Sequence, residues 1–260
     1  MQNQLQYESI NDTIRFSKNF NQEITDEIRN ILSNYTNIVF GNDFNSVIYD
    51  CPTSITNITF GLYFNKTIDF IQPKDKLKQS ITHLVLGKFF NQPINYLPET
   101  LQYLEFGQSF DYKLDCLPNG LTHLYLSCDF NQPIDNLPNT LAHLIIKNGF
   151  TKSIDNLPES LRYLSIYGGK DICVNNLPRN LQYLTLGSGF NQSVDNLPDS
   201  LVNLTILNSE YSGSLDTYKP NENGVQIKNL KKLIIAYRFN SEEECEEFAS
   251  QFPNIKVQFI

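Results

Sequence analysis

The chain has 260 residues, 40% of them hydrophobic, and its 28 acidic and 20 basic residues give a net charge of −8 at pH 7. This length allows one domain or two and is ample for a buried core. The negative charge disfavours a nucleic-acid or anionic-membrane binder, because either ligand needs a basic surface that neutralises phosphate. Five cysteines without a Cys-x-x-Cys pair argue against disulfides and structural zinc, so we expect a reducing, cytoplasmic location.

The N-terminal residues 1–11 are mostly polar and predict neither a signal peptide nor regular structure. A hydrophobic pattern begins at Ile14 and Phe16, and Thr25 is a predicted helix N-cap, followed by acidic residues and then an apolar face. We assign residues 1–34 to an atypical first repeat that acts as an N-terminal cap. No apolar run approaches the length of about 20 residues that a membrane-spanning helix needs.

A 20-residue repeat occupies most of residues 35–208. Its clearest copy, FNQPIDNLP, starts at Phe130 and recurs as FNQPI at Phe90 and as FNQSVDNLP at Phe190. Each copy is followed by a Leu-x-x-Leu-x-Leu run, such as that from Leu141 to Ile146. A fixed period in the range of about 20–50 residues indicates a solenoid.

Three segments depart from the repeat pattern. The lysine-rich residues 72–79 are predicted to form a surface loop, since insertions into repeats are expelled to one face. At Lys170 the expected Phe-Asn pair is missing, and we predict a local distortion in which Ile172 takes the position of the phenylalanine. Residues 209–229 contain several Gly, Pro and Asn residues and predict a long loop.

The C-terminal segment returns to the repeat pattern. Leu233 and Ile235 predict a strand, Ser241 predicts the N-cap of an acidic helix that ends at about Gln251, and Val257 lies in a last strand pattern. An acidic, atypical last unit is typical of a solenoid cap. We therefore assign 230–260 to a C-terminal cap and 1–260 to a single solenoid domain.

The repeat predicts one short parallel strand in each coil. At Leu121, Leu124 and Leu126, the alternating positions 124 and 126 make a strand with one buried face, and Leu121 turns the chain inward. Parallel strands need long connections, and the Pro- and Asn-rich remainder of each coil is too short for a typical helix. The repeated phenylalanines predict a buried stack. The asparagine after each phenylalanine should form hydrogen bonds with the backbone at the corner where the coil turns. The Leu-Pro pair should then turn the chain back into the strand.

The unit Phe-Asn-x-Pro-Ile with Leu-Pro-x-x-Leu-x-x-Leu-x-Leu-Gly resembles the FNIP repeat, a leucine-rich-repeat relative of social amoebae and of giant viruses that infect amoebae. The resemblance covers about residues 13–240. Together with the strand pattern, it implies a mostly β, α/β-repeat fold: a leucine-rich-repeat-like right-handed solenoid. Its parallel concave sheet should have about 10–12 short strands and its convex side should be irregular. FNIP repeats often follow an F-box, which recruits substrates to a cullin-type ubiquitin ligase, but here repeat signals already occupy the first 40 residues, so we expect no F-box.

Two columns of side chains are predicted to face outward from the concave sheet. All three histidines lie in the first column, interleaved with tyrosines, at intervals of 20 residues or a multiple of 20. Two interpretations stay open: cross-strand packing that stabilises the sheet, or a recognition surface, since Tyr and His combine apolar area with a polar tip. The predicted partner-binding residues are His83, Tyr103, Glu105, His123, Tyr125, His143, Tyr163 and Tyr183.

Other chemistries are disfavoured. A metal site from His123 and His143 would need side chains that converge, whereas neighbouring strand positions point the same way. A column of aspartates (Asp115, Asp135, Asp155, Asp195) suggests calcium, but we expect each to cap a turn through its own backbone. No nucleophile–base pair, phosphate-binding glycine loop or HExxH motif occurs, so we expect neither enzymatic activity nor a cofactor.

The predicted function is a protein–protein interaction module that presents the His/Tyr surface as a substrate-recognition or host-interaction scaffold. The alternative is a small-ligand or carbohydrate-binding protein that uses the aromatic concave face. We expect a cytoplasmic monomer, located in the host cytoplasm if the chain is viral. A link of its protein partner to ubiquitin ligases is implied only by the resemblance, and we expect neither nucleic acid nor membrane as a partner.

Overall fold

The computed structural model describes residues 7–48, 50–68, 80–95, 97–219, 229–236 and 241–260. Contacts are densest within two units, Met1–Gln132 and Pro133–Ile260. The described residues are mostly β, with one short strand per coil and two α-helices. The lysine-rich loop predicted at 72–79 and the part of the predicted long loop at 220–228 lie outside the described residues.

The strands of the first unit pair in chain order. The first two pair antiparallel, and the others follow as parallel neighbours with equivalent residues of successive coils side by side. The elements are β1 (Tyr7–Ile10), β2 (Thr13–Phe16), α1 (Asp26–Leu32), β3 (Asn37–Val39), β4 (Asn57–Thr59), β5 (His83–Val85), β6 (Tyr103–Glu105) and β7 (His123–Leu126). The expectation that residues 1–11 lack regular structure is wrong for β1, whose four side chains are all exposed and so leave no alternating pattern in the sequence.

The strands of the second unit are all parallel to their neighbours in the sequence. They are β8 (His143–Ile146), β9 (Tyr163–Ile166), β10 (Tyr183–Leu186), β11 (Asn203–Ile206), β12 (Lys232–Ile235) and β13 (Lys256–Phe259), with helix α2 (Glu242–Ser250) before β13. These strands confirm the pattern predicted after residue 230. The described part of the predicted long loop contains a 3-10 helix, Asp216–Tyr218.

Both helices begin where the sequence predicts. The Thr25 hydroxyl accepts a hydrogen bond from the Ile28 backbone N–H at 3.4 Å, and α1 buries Ile28 and Leu32. The Ser241 hydroxyl accepts from the Glu244 backbone N–H at 3.2 Å. Each cap gives a partner to a helical N–H that has no acceptor within its own helix.

The predicted Leu-x-x-Leu-x-Leu residues form the core of each coil. Leu121, Leu124 and Leu126 are fully buried. Because side chains alternate across a strand, the residues between them in β7 are left on the opposite, outward face. The predicted Leu-Pro turn is also present, with the Leu121 N–H donating to the Pro118 carbonyl at 3.1 Å. Every coil therefore has one core face and one face that its own core does not use.

The predicted phenylalanine stack is present. Phe90, Phe110 and Phe130 lie one above another with ring centroids 6.1 Å apart in each pair. Phe110 also stacks on Phe106 from the end of its own strand, at 3.7 Å. All four rings are buried. Rings of this size contribute much of the apolar area that stabilises the coils.

The asparagine after each phenylalanine connects successive coils, as predicted. Asn45 Oδ1 accepts from the Asn65 backbone N–H at 2.9 Å, and Asn65 Oδ1 accepts from the Asn91 N–H at 2.9 Å. Asp111 takes the equivalent position and accepts from the Asn131 N–H at 2.8 Å. These side chains supply acceptors to backbone donors at a corner that no strand ladder reaches.

Ile172 replaces the phenylalanine in the irregular coil, as predicted. It is buried, and its N–H donates to the carbonyl three residues earlier at 3.1 Å, the contact that Phe190 also makes. Gly169 has φ of 90°, which glycine adopts at little cost. Tyr211, inside the predicted loop, continues the column with its ring 6.0 Å from that of Phe190. The sequence pattern did not identify Tyr211, because it lies among residues that are typical of a loop.

Candidate functional site

The predicted site residues of the first unit lie on the outward positions of β5, β6 and β7. We call this surface the first aromatic face: His83, Tyr103, Glu105, His123 and Tyr125. The ladder places Tyr103 between the two histidines. Its ring centroid lies 5.5 Å from that of His83 and 6.0 Å from that of His123, at interplanar angles of 20° and 29°. Both faces of the Tyr103 ring are therefore covered by imidazoles.

Glu105 and Tyr125 extend this stack sideways. The Tyr103 hydroxyl donates to Glu105 Oε2 at 2.8 Å, and the Tyr103 and Tyr125 ring centroids lie 5.0 Å apart. Burial, followed by the hydrogen bond and the negative charge of Glu105, raises the pKa of Tyr103. The Tyr103 hydroxyl therefore stays protonated at neutral pH and remains a donor to the carboxylate.

The two histidines of this face each contact a threonine hydroxyl. The distance from His83 Nδ1 to Thr82 Oγ1 is 2.8 Å, and that from His123 Nδ1 to Thr122 Oγ1 is 2.9 Å. Thr122 also donates to the Gln102 carbonyl at 3.0 Å. Because a hydroxyl has one proton and a carbonyl can only accept, His123 Nδ1 is then the donor to the Thr122 oxygen. This contact holds the imidazole in one tautomer and one orientation.

The second aromatic face consists of His143, Tyr163 and Tyr183 on β8, β9 and β10. Their rings repeat the geometry of the first face, with centroid separations of 5.6 and 6.0 Å and interplanar angles of 20° and 28°. Burial lowers the pKa of His143. The residue before it is Ala142, so the threonine contact of the first face has no equivalent here.

The column beside the second face is uncharged. It contains Ile145, Ser165 and Thr185, where the first face has Glu105 and Tyr125. Ser165 is fully buried and its hydroxyl has no hydrogen-bond partner. The structure thus brings the eight predicted residues together as one group of five and one of three, and only the first group includes a carboxylate.

The aspartate column is organised differently from the prediction. Asp135 Oδ1 accepts from Asn156 Nδ2 at 2.9 Å, and Asp155 Oδ1 accepts from Asn176 Nδ2 at 3.0 Å. Asp195 accepts in the same way from a threonine hydroxyl of the next coil at 2.9 Å. Self-capping of each turn was therefore the wrong expectation for these three residues. Their carboxylates join neighbouring coils, because the next coil places a side-chain donor within reach.

The structure also exposes an aromatic pair that the sequence analysis did not select. The rings of Tyr63 and Phe89 stack at 5.4 Å with an interplanar angle of 11°, although the two residues are 51% and 40% exposed. Lys88 Nζ lies 5.4 Å from the Phe89 centroid. The sequence contained a signal for this pair: the residue before the stacked phenylalanine is aromatic in these two coils, whereas it is Asp43 or Ser109 in other coils.

Other site types have little support among the described residues. A hollow of about 460 Å³ beside Tyr112 has a mixed lining that includes the charged residues Asp111, Lys113 and Asp115, whereas small-molecule sites are mostly apolar. No group of three His, Cys, Asp or Glu side chains in the described ranges could hold a metal ion. Neither described helix is long and apolar enough to cross a membrane.

The family model of the FNIP repeat matches residues 73–109, 90–129, 110–149 and 170–209. Residues 73–149 and 170–209 therefore contain FNIP repeats. The matched stretches contain β5 to β8, β10 and β11, and so every predicted site residue except Tyr163 lies on an FNIP repeat.

Two solved structures are similar over most of the chain. CroV588, described as a novel circular LRR protein, is 25% identical with a TM-score of 0.38, and the match covers 98% of this chain and 54% of that chain. YopM from Yersinia enterocolitica WA-314 is 18% identical with a TM-score of 0.39, and the match covers 79% of this chain and 52% of that chain. The chain thus spans about half the length of these two proteins. No curated protein sequence matches it.

Proposed function

We propose that this FNIP-repeat chain is a protein-interaction module, and that its first and second aromatic faces each contact a protein partner. The observation that carries the proposal is the stack of His83, Tyr103 and His123 with Tyr125 beside it, half-exposed on a sheet face that the core does not use. Tyrosine side chains of this kind are enriched at protein interfaces and at their hot spots. These side chains lie on hydrogen-bonded strands and stack on one another, so less side-chain entropy is lost when a partner binds.

The stack favours a protein over a carbohydrate ligand. A sugar ring packs against an open aromatic face, but both faces of Tyr103 are covered by His83 and His123. What remains for a ligand is a row of ring edges and polar tips. Such a row suits an extended protein segment with alternating apolar and polar contacts.

The remaining parts of the proposal concern the whole chain. We further propose that residues 1–260 form a single solenoid domain with caps at residues 1–34 and 230–260. We also propose that the chain is a monomer located in the cytoplasm. The C-terminal cap is supported by helix α2, which has three glutamates in its first turn and no buried residue. A role as a substrate-recognition or host-interaction scaffold, with or without a ubiquitin ligase, rests on the FNIP repeats alone.

The test is affinity capture from an amoebal lysate with matched variants. We expect the wild-type chain to retain a stoichiometric protein that Tyr103→Ala with Tyr125→Ala releases. Tyr112→Ala, which removes an exposed tyrosine of the same unit away from this face, should retain it. Tyr163→Ala with Tyr183→Ala tests the second face separately. Equal retention by all variants would show that neither face binds the partner.

A further inference from the structure

We infer that the first aromatic face binds a lysine or arginine side chain of its protein partner, with Glu105 as the counter-ion and Tyr125 beside it as the aromatic contact. This inference rests on the proposed function and specifies the chemistry of the partner. In this inference Glu105 supplies the negative charge that binds the cation, whereas the stacked rings supply the apolar contact with the partner.

The position of Glu105 is the first argument. It is the sole carboxylate at the outward positions of β2 to β7, where the other residues are Asn, Thr, Val, His and Tyr, together with Arg15 in β2. Burying a carboxylate costs free energy unless a donor or a cation compensates it. A partner that covers this face must therefore provide such a group, and a partner with only apolar or acidic side chains would be penalised there.

The hydrogen bonding of Glu105 is the second argument. A carboxylate has two oxygens and can accept about four hydrogen bonds. Within the described residues, the single hydrogen bond of the Glu105 carboxylate is the one from the Tyr103 hydroxyl to Oε2. That bond fixes the carboxylate beside the ring stack and leaves Oε1 and further lone pairs for a donor from outside. A guanidinium can engage such a carboxylate through two parallel hydrogen bonds, and an ammonium through one.

The aromatic surroundings are the third argument. Tyr103 and Tyr125 flank the carboxylate on adjacent strands, with their ring centroids 5.0 Å apart and their planes tilted by 37°. A cation within about 6 Å of a tyrosine ring is attracted by the negative face of the ring. Because both faces of Tyr103 are covered by imidazoles, Tyr125 is the ring that favours the same positive group as the carboxylate. The net charge of −8 of the whole chain favours the approach of that group.

The second aromatic face provides an internal comparison. It has the same ring spacing but no carboxylate, and its adjacent column consists of Ile145, Ser165 and Thr185. The outward positions further along that unit include Lys232 in β12 and Lys256 in β13. A cationic side chain should therefore be selected by the first face and not by the second.

The experiment is a selection from a random peptide library displayed on phage, with the immobilised wild-type chain as bait. We expect the enriched peptides to carry Lys or Arg, and one synthetic peptide from the selection serves as the probe. It should bind Glu105→Gln at least about tenfold more weakly, as truncation of a charged partner at an interface does. Glu23→Gln removes one exposed carboxylate elsewhere in the unit and should bind like wild type.

A second measurement does not depend on how the Glu105 variant folds. The same peptide is made with citrulline in place of Arg, or with norleucine in place of Lys, and is titrated into the wild-type chain. We expect the same loss of affinity, since only the positive charge is removed from the ligand.

The outcomes separate this inference from the proposed function. Peptides without Lys or Arg, or peptides that lose no affinity on neutralisation, overturn the cation site. If those peptides still lose binding with Tyr103→Ala and Tyr125→Ala, the face remains a protein-binding surface. If peptide binding depends on neither Glu105 nor the tyrosines, both the inference and the role of this face in the proposed function are wrong.

Discussion

The buried corner of each coil and the outward face of its strand follow the same period but vary in different ways. At the corner, phenylalanine and asparagine return almost unchanged, because the Phe90–Phe110–Phe130 stack and the asparagine ladder need the same shape in every coil. On the outward face aromatic residues recur in one column from β5 to β10, whereas β3, β4 and β11 have asparagine in that column. Residues repeated at every period therefore specify the fold, whereas the positions that vary are those at which we propose binding.

The two aromatic faces sharpen that distinction. Ring separations of 5.5 and 6.0 Å in the first face and of 5.6 and 6.0 Å in the second are nearly the same, although the neighbouring columns differ. The strand ladder sets these spacings. The stack alone therefore does not distinguish a binding surface from cross-strand packing. The residues next to the stack differ between the two faces: Glu105 and Tyr125 lie beside the first, and Ile145 and Ser165 lie beside the second. This is the difference to test.

The largest expected effect comes from the corner. Phe130→Ala should lower the free energy of unfolding by about 3–5 kcal/mol, as the deletion of a buried aromatic ring does, because Phe130 is fully buried against Phe110. Tyr183→Ala, on the exposed end of the second face, should cost much less. Urea-induced unfolding of both variants measures this contrast. Equal losses would mean that corner and outward face contribute alike to stability.

The fold was predictable because the period constrains it. One strand per coil, the phenylalanine stack, the asparagine ladder and both helix N-caps all follow from positions that recur or from local capping rules. What the sequence did not reveal lacks such a signal: β1 has no buried side chain, and Tyr211 fills the phenylalanine position from within a segment of loop composition. Asp155 has one partner in its own turn, the Ser153 hydroxyl, but its amide donor Asn176 lies in the next coil, and no pattern within a single turn specifies that donor.

Of the candidate site, the positions were predictable and the chemistry was not. Period and alternation assigned all eight residues to outward strand positions, which the structure confirms. The hydrogen bond from Tyr103 to Glu105 and the threonine contacts of His83 and His123 depend on side-chain rotamers, which the repeat does not determine.

The next largest effect concerns binding. Tyr103→Ala with Tyr125→Ala should weaken partner binding by at least about 2 kcal/mol, in the range of hot-spot truncations, and should destabilise the chain less than Phe130→Ala. Tyr103→Phe is the finer variant, because it keeps the ring between the histidines and removes only the hydroxyl that holds Glu105. Isothermal titration and thermal melts of the same samples separate the two effects. Early melting with unchanged affinity would assign the stack to packing.

A smaller effect is expected from the asparagine ladder. Asn65→Ala removes the acceptor of the Asn91 N–H and of Gln92 Nε2, and also the side chain between two coils. The expected loss is about 1 kcal/mol, the typical net contribution of a hydrogen bond, since the corner is partly exposed and water replaces some of the contact. Asn65→Asp keeps the acceptor and should recover most of the loss. Chemical denaturation of both variants decides whether the ladder stabilises the corner.

A pH effect should arise in the second face. Burial lowers the pKa of His143 in the folded chain below its ordinary value of about 6.5. The unfolded chain therefore binds more protons in the window below about pH 6.5, and stability falls as the pH decreases through that window. In His143→Gln this part of the pH dependence should be absent. A stability profile that is identical in the variant would show that His143 is not buried enough to resist protonation.

The smallest effect is expected from chelation of divalent cations. Asp155 Oδ2 accepts from the Ser153 hydroxyl at 2.6 Å, and Asp155 Oδ1 accepts from Asn176 Nδ2. These hydrogen bonds lower the pKa of Asp155, so the carboxylate is stabilised as an anion without a cation. EDTA should therefore leave the melting temperature unchanged, whereas Asn176→Ala should lower it slightly, because Asp155 loses a donor. A drop of several degrees with EDTA in the wild-type chain, reversed by added Ca²⁺, would show instead that a cation joins the aspartates of successive coils.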